Sequence, residues 1–78
     1  MSERQQIIYM QTRMIRLAAE DWNQPIEKIA ELFAKYDVLQ YIAKYFGIFH
    51  VEGDDAVLED IMGYLKNKGV TANAEIGE

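Results

Sequence analysis

The first twenty residues carry apolar side chains at Ile7, Met10, Met14 and Leu17, spacings of three and four that predict an amphipathic helix from about residue 3 to residue 21. A second row runs beside the first: Ile8, Ile15, Ala18 or Ala19, and Trp22. At 100° per residue the apolar arc spans roughly 200°, against the ~100° or more of an ordinary surface helix. Gln11 falls inside that arc. Such a helix either lies centrally among the others or buries its second stripe against a partner.

Asn23-Gln24-Pro25 interrupts the pattern, because proline suits the first turn of a helix and disfavours helical geometry in the residue before it. A second helix is predicted over about 25–36, with Asn23 or Gln24 as its cap and Ile26, Ile29, Ala30 and Phe33 on its buried face. Asp37 followed three residues later by Gln40 reads as a capping box that starts a third helix over about 38–46. That helix carries Leu39, Ile42 and Phe46 on one side and Val38, Tyr41 and Tyr45 beside them, with Gly47 as its left-handed terminus. Ile48 to Glu52 is then expected to be an extended link.

Gly53 and Asp54 open a fourth helix over about 54–68, with Val57 or Leu58, Ile61, Tyr64 and Leu65 inward, and with Lys66, Lys68 and Gly69 marking its end. The expected fold is all-α: a compact bundle of four short helices forming a single domain over 1–69. Residues 70–78 lack periodicity and are expected to form a frayed, disordered tail.

A chain of 78 residues has room for one core, and a 50% apolar composition with nine aromatics is enough to build it. No cysteine is present, which removes thiolate chemistry, disulfides and sulfur-ligated zinc and fits a reducing compartment. No basic segment followed by an apolar one opens the chain, and no apolar run approaches the ~18 residues of a membrane span. A cytoplasmic location is expected.

Charge is unevenly placed within a net −5. Arg4, Arg13 and Arg16 outweigh Glu3 and Glu20 near the start, whereas Glu52, Asp54, Asp55, Glu59 and Asp60 follow one another with no Lys or Arg between them. Acids at a helix start suit the helix dipole, and the same acids form a patch that would attract a basic partner surface. The alternating carboxylates, central glycine and closing Glu of a calcium loop are missing, so no metal or cofactor is expected.

Catalysis is not expected either, since the single Ser is Ser2 and the single His is His50. His50 could cap a helix end or titrate near neutrality. Helices two and three superficially suggest a helix-turn-helix that would set Val38 to Phe46 in a major groove. Lys44 is the only basic residue there and four of the nine are Leu, Ile, Val or Phe, so no nucleic acid is expected.

Two surfaces remain. Tyr36, Tyr41, Tyr45, Phe46 and Phe49 crowd the region next to His50, and the expected partner contacts there are Tyr41, Tyr45, Phe49, His50, Asp54 and Asp55. The alternative is a homodimer through Ile7, Met10, Met14 and Leu17 at heptad-like spacing.

The run from Glu31 through Leu32-Phe33-Ala34-Lys35-Tyr36, then Tyr45 to Gly53, then Leu58-Glu59-Asp60-Ile61, resembles a family of short bacterial helical proteins of unknown function over residues 24 to 66. Phe49 stands where that pattern has Leu. The resemblance implies a small cytosolic protein encoded near ADP-ribosyltransferase-like toxins, and hence an antitoxin-like inhibitor that binds and neutralises a partner enzyme. The expected function is therefore a non-catalytic protein-protein interaction module for a basic partner, with the helix-one dimer and a DNA-binding regulator as alternatives.

Overall fold

Ser2 and Gln5 start the first helix by closing a reciprocal cap: the Gln5 amide donates to Ser2 Oγ at 3.1 Å and the Ser2 amide to Gln5 Oε1 at 3.0 Å. In the computed structural model, which describes residues 1–70, α1 then runs Glu3–Asp21. It stops at Asn23, whose left-handed φ of 56° lets the Gln24 amide reach back to the Ala19 carbonyl at 2.9 Å and the Asn23 amide to the Glu20 carbonyl at 3.3 Å. Those two bonds are the pair that satisfies the last carbonyls of a helix closed by a left-handed residue. Asn23 thus ends α1 rather than capping its successor.

The remaining helices are α2 (Ile26–Lys35), α3 (Val38–Lys44), α4 (Phe46–Phe49) and α5 (Asp54–Asn67), and no strand occurs among the described residues. The all-α fold and the four longer helices agree with the sequence pattern, with three local corrections. Pro25 is the residue before α2, and Ile26 is half exposed while Leu32 is buried. Asp37 makes no side-chain cap; it sits at φ 60°, the left-handed turn between α2 and α3. Residues 46–49 are helical, so Gly47 lies inside α4 and is not left-handed, and Ile48 to Glu52 is a helical turn and bend rather than an extended link.

α5 ends as expected at Gly69, whose φ of 82° allows Val70 N–H to bond Leu65 C=O and Gly69 N–H to bond Lys66 C=O, both at 2.9 Å. Val70 is 3% exposed, so the packed domain includes it. The disorder expected for the rest of the tail lies outside the described residues.

The core is one cluster: Met10, Met14 and Ala18 from α1, Ile29 and Phe33 from α2, Val38 and Ile42 from α3, Phe46 and Phe49 from α4, and Val57, Ile61 and Leu65 from α5. α1 packs against α2, α3 and α5, so its wide apolar arc is that of the central helix. Gln11 is reconciled with that arc by donating from Nε2 to the Leu39 carbonyl of α3 at 2.8 Å. The Cα radius of gyration, 11.8 Å, is close to the ~11 Å of a compact domain of this size.

Candidate functional site

Glu20 and Asp21 project from the last turn of α1, a position where aligned peptide dipoles disfavour negative charge by about 0.3–1 kcal/mol per group, and no basic residue shares that turn. Across from them Asp54 and Asp55 occupy the first turn of α5, where the dipole welcomes them. These four carboxylates rim a hollow of about 440 Å³ whose apolar lining is Leu17 and Leu58. Half of this charge is therefore helix chemistry and half is not: Glu20 and Asp21 are held against the local preference of their own helix.

A second hollow of about 240 Å³ lies toward the start of α1, between Gln6, Tyr9, Met10 and Arg13 on one side and Phe46 and His50 on the other. His50 closes α4: its Nδ1 donates to the Phe46 carbonyl at 3.0 Å and its ring stacks on Phe46 with centroids 5.2 Å apart. The helix-capping role considered for His50 is the one the structure shows.

The two hollows meet at one contact. Arg13, which lines the second, reaches Asp54, which rims the first, with Nη2 3.2 Å from Oδ1. The guanidinium also lies over the Tyr9 ring, 5.7 Å from its centroid, while its Nε is shielded from solvent with no acceptor. Arg13 is thus held by a single-point ion pair in place of the two-point fork that guanidinium and carboxylate can form.

The expected aromatic contact surface divides differently. Tyr41 stacks on Tyr64 at 4.2 Å and meets Tyr45 and Phe49 edge-on at 5.3 and 5.5 Å. Phe49 is 3% exposed and belongs to the core, because the helical turn of α4 rotates inward a ring that an extended link would have presented outward. Tyr41 is half-buried and Tyr45 more open. Burial first, then the carboxylate of Asp60 and neighbouring Tyr45, Glu52 and Tyr64, push the Tyr41 hydroxyl above its usual range. Of the six expected contacts, His50, Asp54 and Asp55 border the hollows along α1, and Tyr41, Tyr45 and Phe49 form a separate cluster.

Behind that cluster Glu52, in the link before α5, has Oε1 shielded from solvent without a donor. Its burial, the Asp60 carboxylate beside it and a hydrogen bond between the two carboxyls raise its proton affinity.

Met10 and Met14, two members of the proposed dimer stripe, are 4% and 0% exposed inside this chain's own core, with Ile7 and Leu17 partly buried against it. Pairing through all four would require the core to open. Val38 and Ile42 are likewise buried and form the inner face of α3. Among the described residues no group of three or more His, Asp or Glu is placed to hold a metal ion, and no helix is long and apolar enough to cross a membrane.

A family model described as "Protein of unknown function (DUF3791)" matches residues 9–68, and the chain belongs to that family. The match takes in the lining residues of both hollows except Gln6. No curated protein and no solved structure shows significant similarity to the chain.

Proposed function

We propose that this chain is a non-catalytic module that binds a basic surface of another protein in the cytoplasm. The observation that carries the reading is the hollow between α1 and α5, rimmed by Glu20, Asp21, Asp54 and Asp55 and floored by Leu17 and Leu58. Apolar floor and charged rim are the layout of a protein-docking surface, where the buried centre supplies affinity and the rim supplies steering and selectivity. The two acids placed against the α1 dipole favour the same reading, since folding does not call for them.

The side-chain contacts of the single Ser and the single His are those of helix caps. Ser2 Oγ accepts the Gln5 amide and His50 Nδ1 donates to the Phe46 carbonyl. In the antitoxin-like form of this proposal the partner is an enzyme whose basic active-site rim is covered by the acidic face. That form rests on the sequence resemblance together with the charge of the groove.

Affinity purification of the tagged full chain from its native cells tests the proposal. A partner should be retained at low salt, released as the Debye length shrinks toward ~3 Å near 1 M salt, lost from the Asp54→Asn/Asp55→Asn variant, and kept by Glu31→Gln, a change on the exposed side of α2. Retention of every partner by the doubly neutralised variant, with its helical circular dichroism intact, would sink the proposal.

A further inference from the structure

Both hollows lie along α1 with the Arg13–Asp54 pair between their linings, and together they make a trough that this pair interrupts if one ligand is to span both. Gln6 and Asp21, at its two ends, are fifteen residues apart on α1, about 22 Å at ~1.5 Å per residue. Its two apolar floors centre on Met10 with Phe46 and on Leu17 with Leu58. Met10 and Leu17 are seven residues apart, about 10 Å along the helix axis.

An occupant must match that spacing and that charge. A helix lying along α1 presents side chains at i and i+7 on one face at the same ~10 Å interval. A peptide that adds as a β-strand would need an open strand edge, and none exists among the described residues. The rim offers Glu20, Asp21, Asp54 and Asp55, of which Asp54 is already partnered, singly, by Arg13.

Resting on the docking reading above, we propose that the partner element is an amphipathic, cationic helix that lies along α1, and that Arg13 is a built-in occupant of Asp54 which the helix displaces. The incoming helix rests one apolar side chain in the hollow over Leu17 and Leu58 and another in the hollow over Met10 and Phe46, without parting these packed side chains. A lysine or arginine between them takes the place of Arg13 on Asp54. Arg13 gives up little on leaving: its contact is one N–O approach between groups 29% and 48% exposed, and its Nε has no acceptor. Released, the guanidinium regains solvent while staying within reach of the Tyr9 ring. The ion pair thus acts as a latch that disfavours occupants lacking a cation at that point.

The test uses the full chain and a fluorescein-labelled synthetic helix of about 18 residues, long enough at ~1.5 Å per residue to span the trough. Leucines recur at i and i+7 and lysines fill the flanking positions; a peptide of equal composition with the leucine spacing scrambled is the control. Anisotropy should show salt-sensitive binding of the spaced peptide and weaker binding of the scrambled one. Arg13→Gln should tighten the spaced peptide by roughly two- to fivefold, the range that exposed ion pairs span, and Arg13→Lys, which keeps the pair, should stay near wild type. Asp54→Asn should weaken binding, and in that background Arg13→Gln should change nothing.

The last arm separates displacement from general attraction, because a mere gain in negative charge would tighten binding whether or not Asp54 is present. The latch is overturned if Arg13→Gln leaves affinity unchanged or lowers it, if its effect persists with Asp54→Asn, or if the scrambled peptide binds equally. Acid-dependent capture of a native partner that ignores both Arg13 variants would overturn the latch and leave the docking function standing. Loss of both would remove the function as well.

Discussion

Gln11 Nε2 donates to the Leu39 carbonyl at 2.8 Å, a side-chain bond that ties the middle of α1 to the start of α3 across 28 residues of sequence. It accounts for a polar residue within the apolar arc of the central helix. A half-buried amide is tolerable there because a carbonyl is in place to receive it.

Removing that bond should cost about 0.5–1.5 kcal/mol, the net worth of an ordinary internal hydrogen bond. Gln11→Ala is therefore expected to lower the thermal midpoint by several degrees, given ~4–8 °C per kcal/mol for a domain of this size. Gln11→Glu should do worse, since a carboxylate would face the Leu39 carbonyl with no proton to offer. Calorimetry of the three proteins at neutral pH checks the order, and an unchanged midpoint for Gln11→Ala would show that the bond contributes nothing.

Asp37 offers a test of sign. As a helix N-cap it would be better than glycine by a few tenths of a kcal/mol. At φ 60° with no side-chain cap it occupies a conformation that costs side-chain-bearing residues roughly 1–2 kcal/mol. Asp37→Gly is thus expected to raise or hold stability and Asp37→Ala to lower it, measured by urea unfolding. A lower midpoint for the glycine variant would restore the capping role read from the sequence.

Glu52 makes stability depend on pH in an unusual direction for a carboxyl group. Its proton affinity is raised in the fold by burial, by Asp60 beside it and by the hydrogen bond to that residue, above the ordinary value of 4.5. The unfolded chain therefore releases this proton first as pH rises, and the folded chain holds it longer. Its contribution to stability is complete below the unfolded value and is lost as pH rises through the folded one. Glu52→Gln keeps a donor toward Asp60 and cannot ionise. Unfolding curves from pH 4 upward (roughly, starting just below the ordinary carboxylate range) should show wild type losing ground to the variant as pH increases. Parallel curves would contradict the assignment.

Much of the fold was legible because helical periodicity in α1, α2, α3 and α5 is strong and local. What the pattern missed was set by non-local or conformational facts. Phe46-Gly47-Ile48-Phe49 carries a glycine between aromatic and β-branched residues, signals of a break or a strand, yet both phenylalanines reach the core only if the segment coils. Asp37 has the right residue type for a cap, and its left-handed φ is invisible to a spacing rule. At the candidate site Asp54, Asp55 and His50 are legible in the sequence, while the meeting of Arg13 with Asp54 and of Glu20 and Asp21 with α5 is not, because those neighbours lie across the bundle. For Glu20 and Asp21 the sequence carries one local signal: two acids and no base in the final turn of α1, against its dipole.

A nitrogen-15 NMR titration of the full chain with the leucine-spaced cationic peptide reads whether ligands enter the trough between α1 and the α4–α5 end of the bundle. Shifts are expected along the Gln6–Asp21 face of α1, around His50 and at the start of α5, together with movement of the Arg13 Nε resonance as Asp54 changes partner. Shifts centred instead on the Tyr41, Tyr45 and Tyr64 cluster, with Arg13 Nε unmoved at saturation, would contradict binding in the trough.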